Sequence, residues 1–134
     1  MNNNDLMRAA NEQTKNRTTS RNSGYDVMVS VSAKEKHNNV RVTITIYREP
    51  RRSHYTNSEY WQPVYFPELN RVYMLYADKR TGYKVVKNTK SAIGHIKFAM
   101  PAMSEFLLTQ PDKLPRFENW LWDSECAKPY IQLD

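Results

Sequence analysis

Two stretches, YDVMVSVS (residues 25–32) and VRVTITIYR (residues 40–48), alternate apolar and polar side chains without a break. Tyr25, Val27, Val29 and Val31 share one face of the first. Val40, Val42, Ile44 and Ile46 share one face of the second, with Arg41, Thr43, Thr45 and Tyr47 on the other. A period of two belongs to a strand buried on one side, because a helix would scatter these residues around its circumference. Their β-branched side chains fit the same conformation. AKEKHNN, between them, is short enough for a hairpin connection. A two-stranded hairpin is marginal alone in water, so its apolar face demands a second layer.

Further strands follow. EYWQPVYF (residues 59–66) sets Tyr60, Gln62, Val64 and Phe66 opposite Trp61, Pro63 and Tyr65, and Pro63 marks it as an edge or bulged strand. RVYMLYA and YKVVKN flank ADKRTG, which reads as a hairpin loop with Gly82 at positive φ and Lys79 and Arg80 at its tip.

The last third changes period. Ile93, Ile96, Met100, Met103 and Leu107 recur at spacings of three and four, predicting a helix capped by Thr89 or Ser91. Pro101 either kinks it or opens a second helix. Pro115 predicts another helix over RFENWLWDSECAK, with Phe117, Trp120 and Leu121 as its apolar side, and PYIQLD reads as a short strand or packed tail. The expected fold is therefore α+β: an antiparallel sheet of about five strands (residues 25–87) packed against C-terminal helices (residues 91–126). Residues 1–24 form a polar segment, with a short helix over DLMRAANEQTK capped by Asn4, then a linker. Residues 25–134 form a single domain, and the N-terminal segment is expected to add little to its core.

The 134 residues suit one domain that needs no staple. The single cysteine, Cys126, excludes an internal disulfide and fits a reducing, cytoplasmic setting. The N-terminus lacks the apolar core of a secretory signal, and no apolar run approaches the ~20 residues of a membrane span. Only three glycines are present, with no GxGxxG, Walker A, CxxC or HExxH pattern. No cofactor, metal site or catalytic set is expected, and the chain reads as non-enzymatic.

Charge is unevenly spread. The net charge is +6, with residues 71–97 holding seven Lys/Arg against Asp78 alone, and residues 98–134 holding three basic and six acidic residues. Such clustering points to a polyanionic partner, with a solvated lysine-rich face as the equal alternative. A second concentration is REPRRSHYTNSEYW (residues 48–61), which interleaves Arg48, Arg51 and Arg52 with Tyr55, Tyr60 and Trp61. Arginine grips phosphate, and aromatic rings stack on bases.

The expected function is thus a small basic binding protein for nucleic acid or a nucleoprotein. Its contacts would be Arg51, Arg52 and Tyr55 from one stretch, and Lys79, Arg80, Lys84, Lys87 and Lys90 from the other. The alternative is a protein-binding inhibitor or adaptor of a nucleic-acid enzyme, of the kind phages and mobile elements encode, using Trp61, Tyr65 and Trp122. A second alternative is a toxin-like ribonuclease with His54 as acid or base and Arg51 or Arg52 stabilising the phosphorane. Spacing fixes no catalytic partner for His54. Cys126, His37 and His95 read as structural or incidental, and Met100 and Met103 as core.

Overall fold

The computed structural model describes residues 2–9, 24–34, 39–50, 59–87 and 92–134. The leading hairpin forms as its alternation requires. Strand β1 (Val27–Lys34) pairs antiparallel with β2 (Asn39–Ile46), placing Val27 opposite Ile46 and Val29 opposite Ile44. Val27, Val29, Val42, Ile44 and Ile46 have no accessible surface, and Val31 and Val40 are half-buried.

What covers this face differs from the expectation. Among the described residues nine strands, numbered along the chain, form two antiparallel sheets in the orders β6-β2-β1-β7 and β5-β3-β4-β9-β8. The second sheet comprises β3 (Tyr60–Phe66), β4 (Arg71–Ala77), β5 (Tyr83–Lys84), β8 (Leu121–Asp123) and β9 (Lys128–Gln132). Strands β6 (Gly94–Phe98) and β7 (Arg116–Glu118) flank the hairpin in the first. Trp61, Val72, Met74 and Ile131 of the second sheet join Val29, Ile44, Ile96 and Phe98 of the first in one core cluster.

The fold class read from the sequence, about five strands over residues 25–87 covered by helices over residues 91–126, is therefore corrected. Within residues 92–134 the one α-helix is α2 (Pro101–Leu108), with Pro101 as its first residue and a 3₁₀ turn at Pro111–Lys113 beyond. Its buried Met103 and Leu107 pack into the same cluster. The stripe from Ile93 to Leu107 was half coincidence. In GHIKF, Gly94, Ile96 and Phe98 are buried while Lys97 is exposed and His95 lies between. That is period two, and it lets β6 complete the open edge of β2, with Ile96 opposite Ile44. RFENWLWD splits similarly into β7, paired with β1, and β8, paired with β9. The positions proposed to cap the first helix, Thr89 and Ser91, lie outside the described residues.

The expected hairpin of residues 71–87 does not form either. β5 pairs with β3, not β4, so Tyr60 stands between Ala77 and Lys84. The connection crosses the face of β3, and Gly82 is small because a Cβ there would stand 2.6 Å from the Ala77 Cβ and 3.1 Å from the Tyr60 Cβ. Close approach, not positive φ, is what this glycine supplies. The turn itself is held by the Asp78 carboxylate, which accepts hydrogen bonds from the Arg80 and Thr81 backbone N–H groups at 2.9 and 3.1 Å. On the β5 side, β3 is paired only at Tyr60 and Trp61. Pro63, which has no N–H to give, sits beyond that contact, as its edge reading required.

Residues 83–86 also join the two sheets. After pairing with β3, the chain forms a bridge in which Val86 and His95 exchange two backbone hydrogen bonds of 2.9 Å. The strands come so close here that a Cβ on Gly94 would meet the Val85 Cγ1 at 2.5 Å and the Val86 carbonyl oxygen at 2.7 Å. Backbone cannot step aside as a flexible side chain does. Gly94→Val should therefore cost at least about 1–3 kcal/mol in urea unfolding; an unchanged midpoint would mean that the sheets are not joined at this point.

The polar N-terminal segment contains a helix, α1 (residues 3–9), whose residues are all exposed. Its cap is Asn2, not Asn4: the Asn2 Oδ1 accepts from the Asp5 N–H at 2.8 Å. Among the described residues no helix is long and apolar enough to cross a membrane.

Candidate nucleic-acid interface

Strand register decides where the basic stretches meet. Val27, Ile46, Gly94 and Glu118 are partners at one end of the first sheet. Tyr60, Ala77 and Lys84 are partners at one end of the second. The Val86–His95 bridge holds these two ends together. Lys79 and Arg80 project from the turn that follows Ala77, Lys84 lies on the joining segment and Lys87 directly follows it; all four are exposed. Arg80 approaches Asp78 only at 3.9 Å, and Lys79, Lys84 and Lys87 have no ion-pair partner among the described residues.

Arg51, Arg52 and Tyr55, with His54, lie outside the described residues, and so do Lys90 and His37. The residues that flank them are placed. Glu59 follows the arginine stretch, and its carbonyl accepts from the Val85 N–H at 2.9 Å. Pro50 precedes it and lines a cleft. Ile93, just after the stretch holding Lys90, donates its N–H to the Ile46 carbonyl at 2.8 Å. Both basic stretches thus leave and re-enter the fold at the same end.

The cleft at this end has a volume of about 520 Å³, and its walls include Asp26, Arg48, Pro50, Trp120 and Trp122. Asp26 organises it. The Asp26 carbonyl accepts from the Tyr47 and Arg48 N–H groups at 2.8 and 3.1 Å, and its carboxylate accepts from the Trp120 N–H at 2.9 Å. The Trp120 indole donates to the Arg48 carbonyl at 2.8 Å, and its ring lies 6.3 Å from that of Trp61. Two residues, Asn119 and Trp120, carry the chain from the edge of the first sheet (β7) to the edge of the second (β8). The cleft sits at that crossing.

The residues named for a protein-binding surface do not share one. Trp61 is 1% exposed and belongs to the core. Tyr65 is half-buried, with its hydroxyl donating to the Asn70 Oδ1 at 3.0 Å. Trp122 is half-buried in the cleft wall. Sequence periodicity misses the cleft, because it places Trp120 on a helix and gives Asp26 no role. The usable signal is NWLW, where two tryptophans at a spacing of two share a face in an extended chain but fall on opposite sides of a helix.

The outer face of the second sheet carries a different polar arrangement. The Tyr73 hydroxyl donates to the Asp123 Oδ2 at 2.6 Å, and the Arg71 guanidinium lies 4.5 Å above the Tyr130 ring while its Nε donates to Gln132. The bond from Tyr73 holds the Asp123 carboxyl below the usual carboxylate range and pushes the Tyr73 phenol up. A carboxyl whose pKa is depressed by folding stabilises the protein above its unfolded value, and that contribution is lost as pH falls through the folded value. Urea midpoints followed from pH 6 to well below the ordinary carboxylate value of roughly 4 should therefore fall less steeply below that value for Asp123→Asn than for the wild type. Parallel curves would mean that the pair adds nothing to stability. Among the described residues, no three His, Cys, Asp or Glu side chains form a group that would hold a metal ion.

Compared with protein-family models, with curated proteins and with solved structures, the chain gives no match.

Proposed function

We propose that this protein is a non-enzymatic binding protein that engages nucleic acid, free or within a nucleoprotein, through the basic end of its two joined sheets. One observation carries the reading: Lys79, Arg80, Lys84 and Lys87 are exposed at the end of the fold where the stretch with Arg51, Arg52 and Tyr55 begins and ends. A strand of phosphates laid across that end meets both sets of cations. The cleft beside Pro50 offers the Trp120 and Trp122 rings to an unstacked base, which suits a single strand better than a closed duplex. Exposed Cys126, unpaired within the chain, fits the reducing interior of a cell.

The test is a fluorescence-anisotropy titration of labelled single-stranded DNA and RNA oligonucleotides at low salt. Saturable binding, with the oligonucleotide recovered intact, is the expected result. No binding at low salt overturns the reading. RNA cleavage by the wild type but not by His54→Ala overturns the non-enzymatic part of it.

A further inference from the structure

Among the described residues, two of the uncovered apolar surfaces are complementary. One is on α1, where Leu6 and Met7 are 54% and 59% exposed. At about 100° per residue they lie on the side opposite Asp5 and Arg8, so the helix is amphipathic despite its length. The other is a groove of about 450 Å³ on the outer face of the second sheet. Val64, Phe66, Leu69 and Leu75 supply its apolar lining and Cys126 part of its wall, with Phe66 and Leu69 42% and 48% exposed.

We propose that α1 seats Leu6 and Met7 in this groove of its own chain. A helix this short is marginal in water and gains its stability by docking an apolar face. An uncovered apolar groove on a sheet has the complementary need. The tether fits: fourteen residues, 10–23, separate Ala9 from Gly24 and span on the order of 50 Å when extended. Gly24 lies at the cleft with Trp122 and Pro129, whose chain neighbours Asp123 and Lys128 line the groove on the other face. Tethering sets an effective concentration on the order of millimolar, so at micromolar protein the chain's own helix outcompetes that of a second copy. The docked helix lies outside the core, and this inference does not depend on the nucleic-acid reading.

The lone cysteine makes the test direct. In full-length Leu6→Cys, mild oxidation should form an intramolecular disulfide with Cys126, seen by peptide mapping of monomer. Asp5→Cys, on the opposite helix face, should crosslink several-fold more slowly. Adding Phe66→Asp to Leu6→Cys should suppress the crosslink; Leu69→Asp, in the turn after β3, serves instead if the first substitution disturbs the far-ultraviolet spectrum. In the otherwise native chain, Leu6→Asp with Met7→Asp should speed the reaction of Cys126 with a thiol reagent several-fold. Equal rates for Leu6→Cys and Asp5→Cys would mean random tethered encounter and overturn the proposal. A disulfide-linked dimer, which puts a second copy's helix in the groove, or no crosslink at all, overturns it too.

Discussion

Unfolding of Trp61→Ala by urea, followed by far-ultraviolet circular dichroism, should show a loss of about 3–5 kcal/mol. The indole is 1% exposed, on the inner face of β3, and it packs against Trp120 in a cluster drawn from both sheets. Truncation removes the largest fully buried side chain in the described protein and leaves a cavity between layers that strand pairing holds apart. Surrounding side chains can collapse only partly into it, so a cavity term adds to the lost transfer energy. Domains of this size are stable by about 5–15 kcal/mol, so the variant forfeits a large share of the total. The surface change Leu108→Ala, at a residue 47% exposed, should stay within roughly 1 kcal/mol. An equally small loss for Trp61→Ala would remove the ring from the core and return it to the candidates for a partner surface.

The second large effect is on binding. Phosphate contacts release counterions, so the logarithm of affinity for a single strand should fall with the logarithm of salt at about −0.7 per contact. Arg51→Ala with Arg52→Ala should make that slope shallower by about 1.4, and Lys84→Ala with Lys87→Ala by a similar amount. If one strand crosses both stretches at the joined end of the sheets, the four changes together should remove about 2.8 from the slope. Tyr55→Ala should instead cost roughly 1–3 kcal/mol at every salt concentration without altering the slope, because stacking is not ionic. A slope untouched by the lysine pair would confine the contact to the arginine stretch. A slope untouched by either pair would remove both from the interface. Asp26→Ala belongs in the same titrations: it deletes the carboxylate that orients Trp120, and weaker binding with an unchanged slope would assign the cleft a role in holding a base.

Strand β6 and the chain from Arg116 to Asp123 show what reading the sequence can miss. Ile93, Ile96, Met100, Met103 and Leu107 satisfy a helical stripe, yet Gly94, Ile96 and Phe98 satisfy a strand equally well. Five residues of either pattern are too few to choose between them. The choice was made by β2, whose open edge offers backbone donors and acceptors to any strand that can reach it. Past Pro101 the same stripe continues as α2, with Met103 and Leu107 buried. β7 and β8 follow the same logic, each completed by a partner distant in sequence, β1 for one and the edge of β9 for the other. Gly82 reads as a turn glycine at positive φ, but like Gly94 it marks a place where two stretches of chain touch.

By itself the sequence determined the hairpin of β1 and β2, Pro63 as a place where strand pairing is interrupted, Pro101 as either a kink or a helix start, and the concentration of cations in two stretches. These depend on neighbours in the chain: side-chain alternation, a missing N–H, local charge. Only the tertiary structure decided that the apolar face of the hairpin is covered chiefly by a second sheet, that β5 passes to the far side of β3, and that Trp61 points inward. It also decided that Pro50, Glu59 and Lys84 stand at one end of the two joined sheets, and that Pro50 shares a cleft with Trp120. The reason is physical. A backbone hydrogen bond or a packed ring has the same chemistry whichever residue supplies its partner, so which strand meets which is settled by the single arrangement that satisfies all of them together.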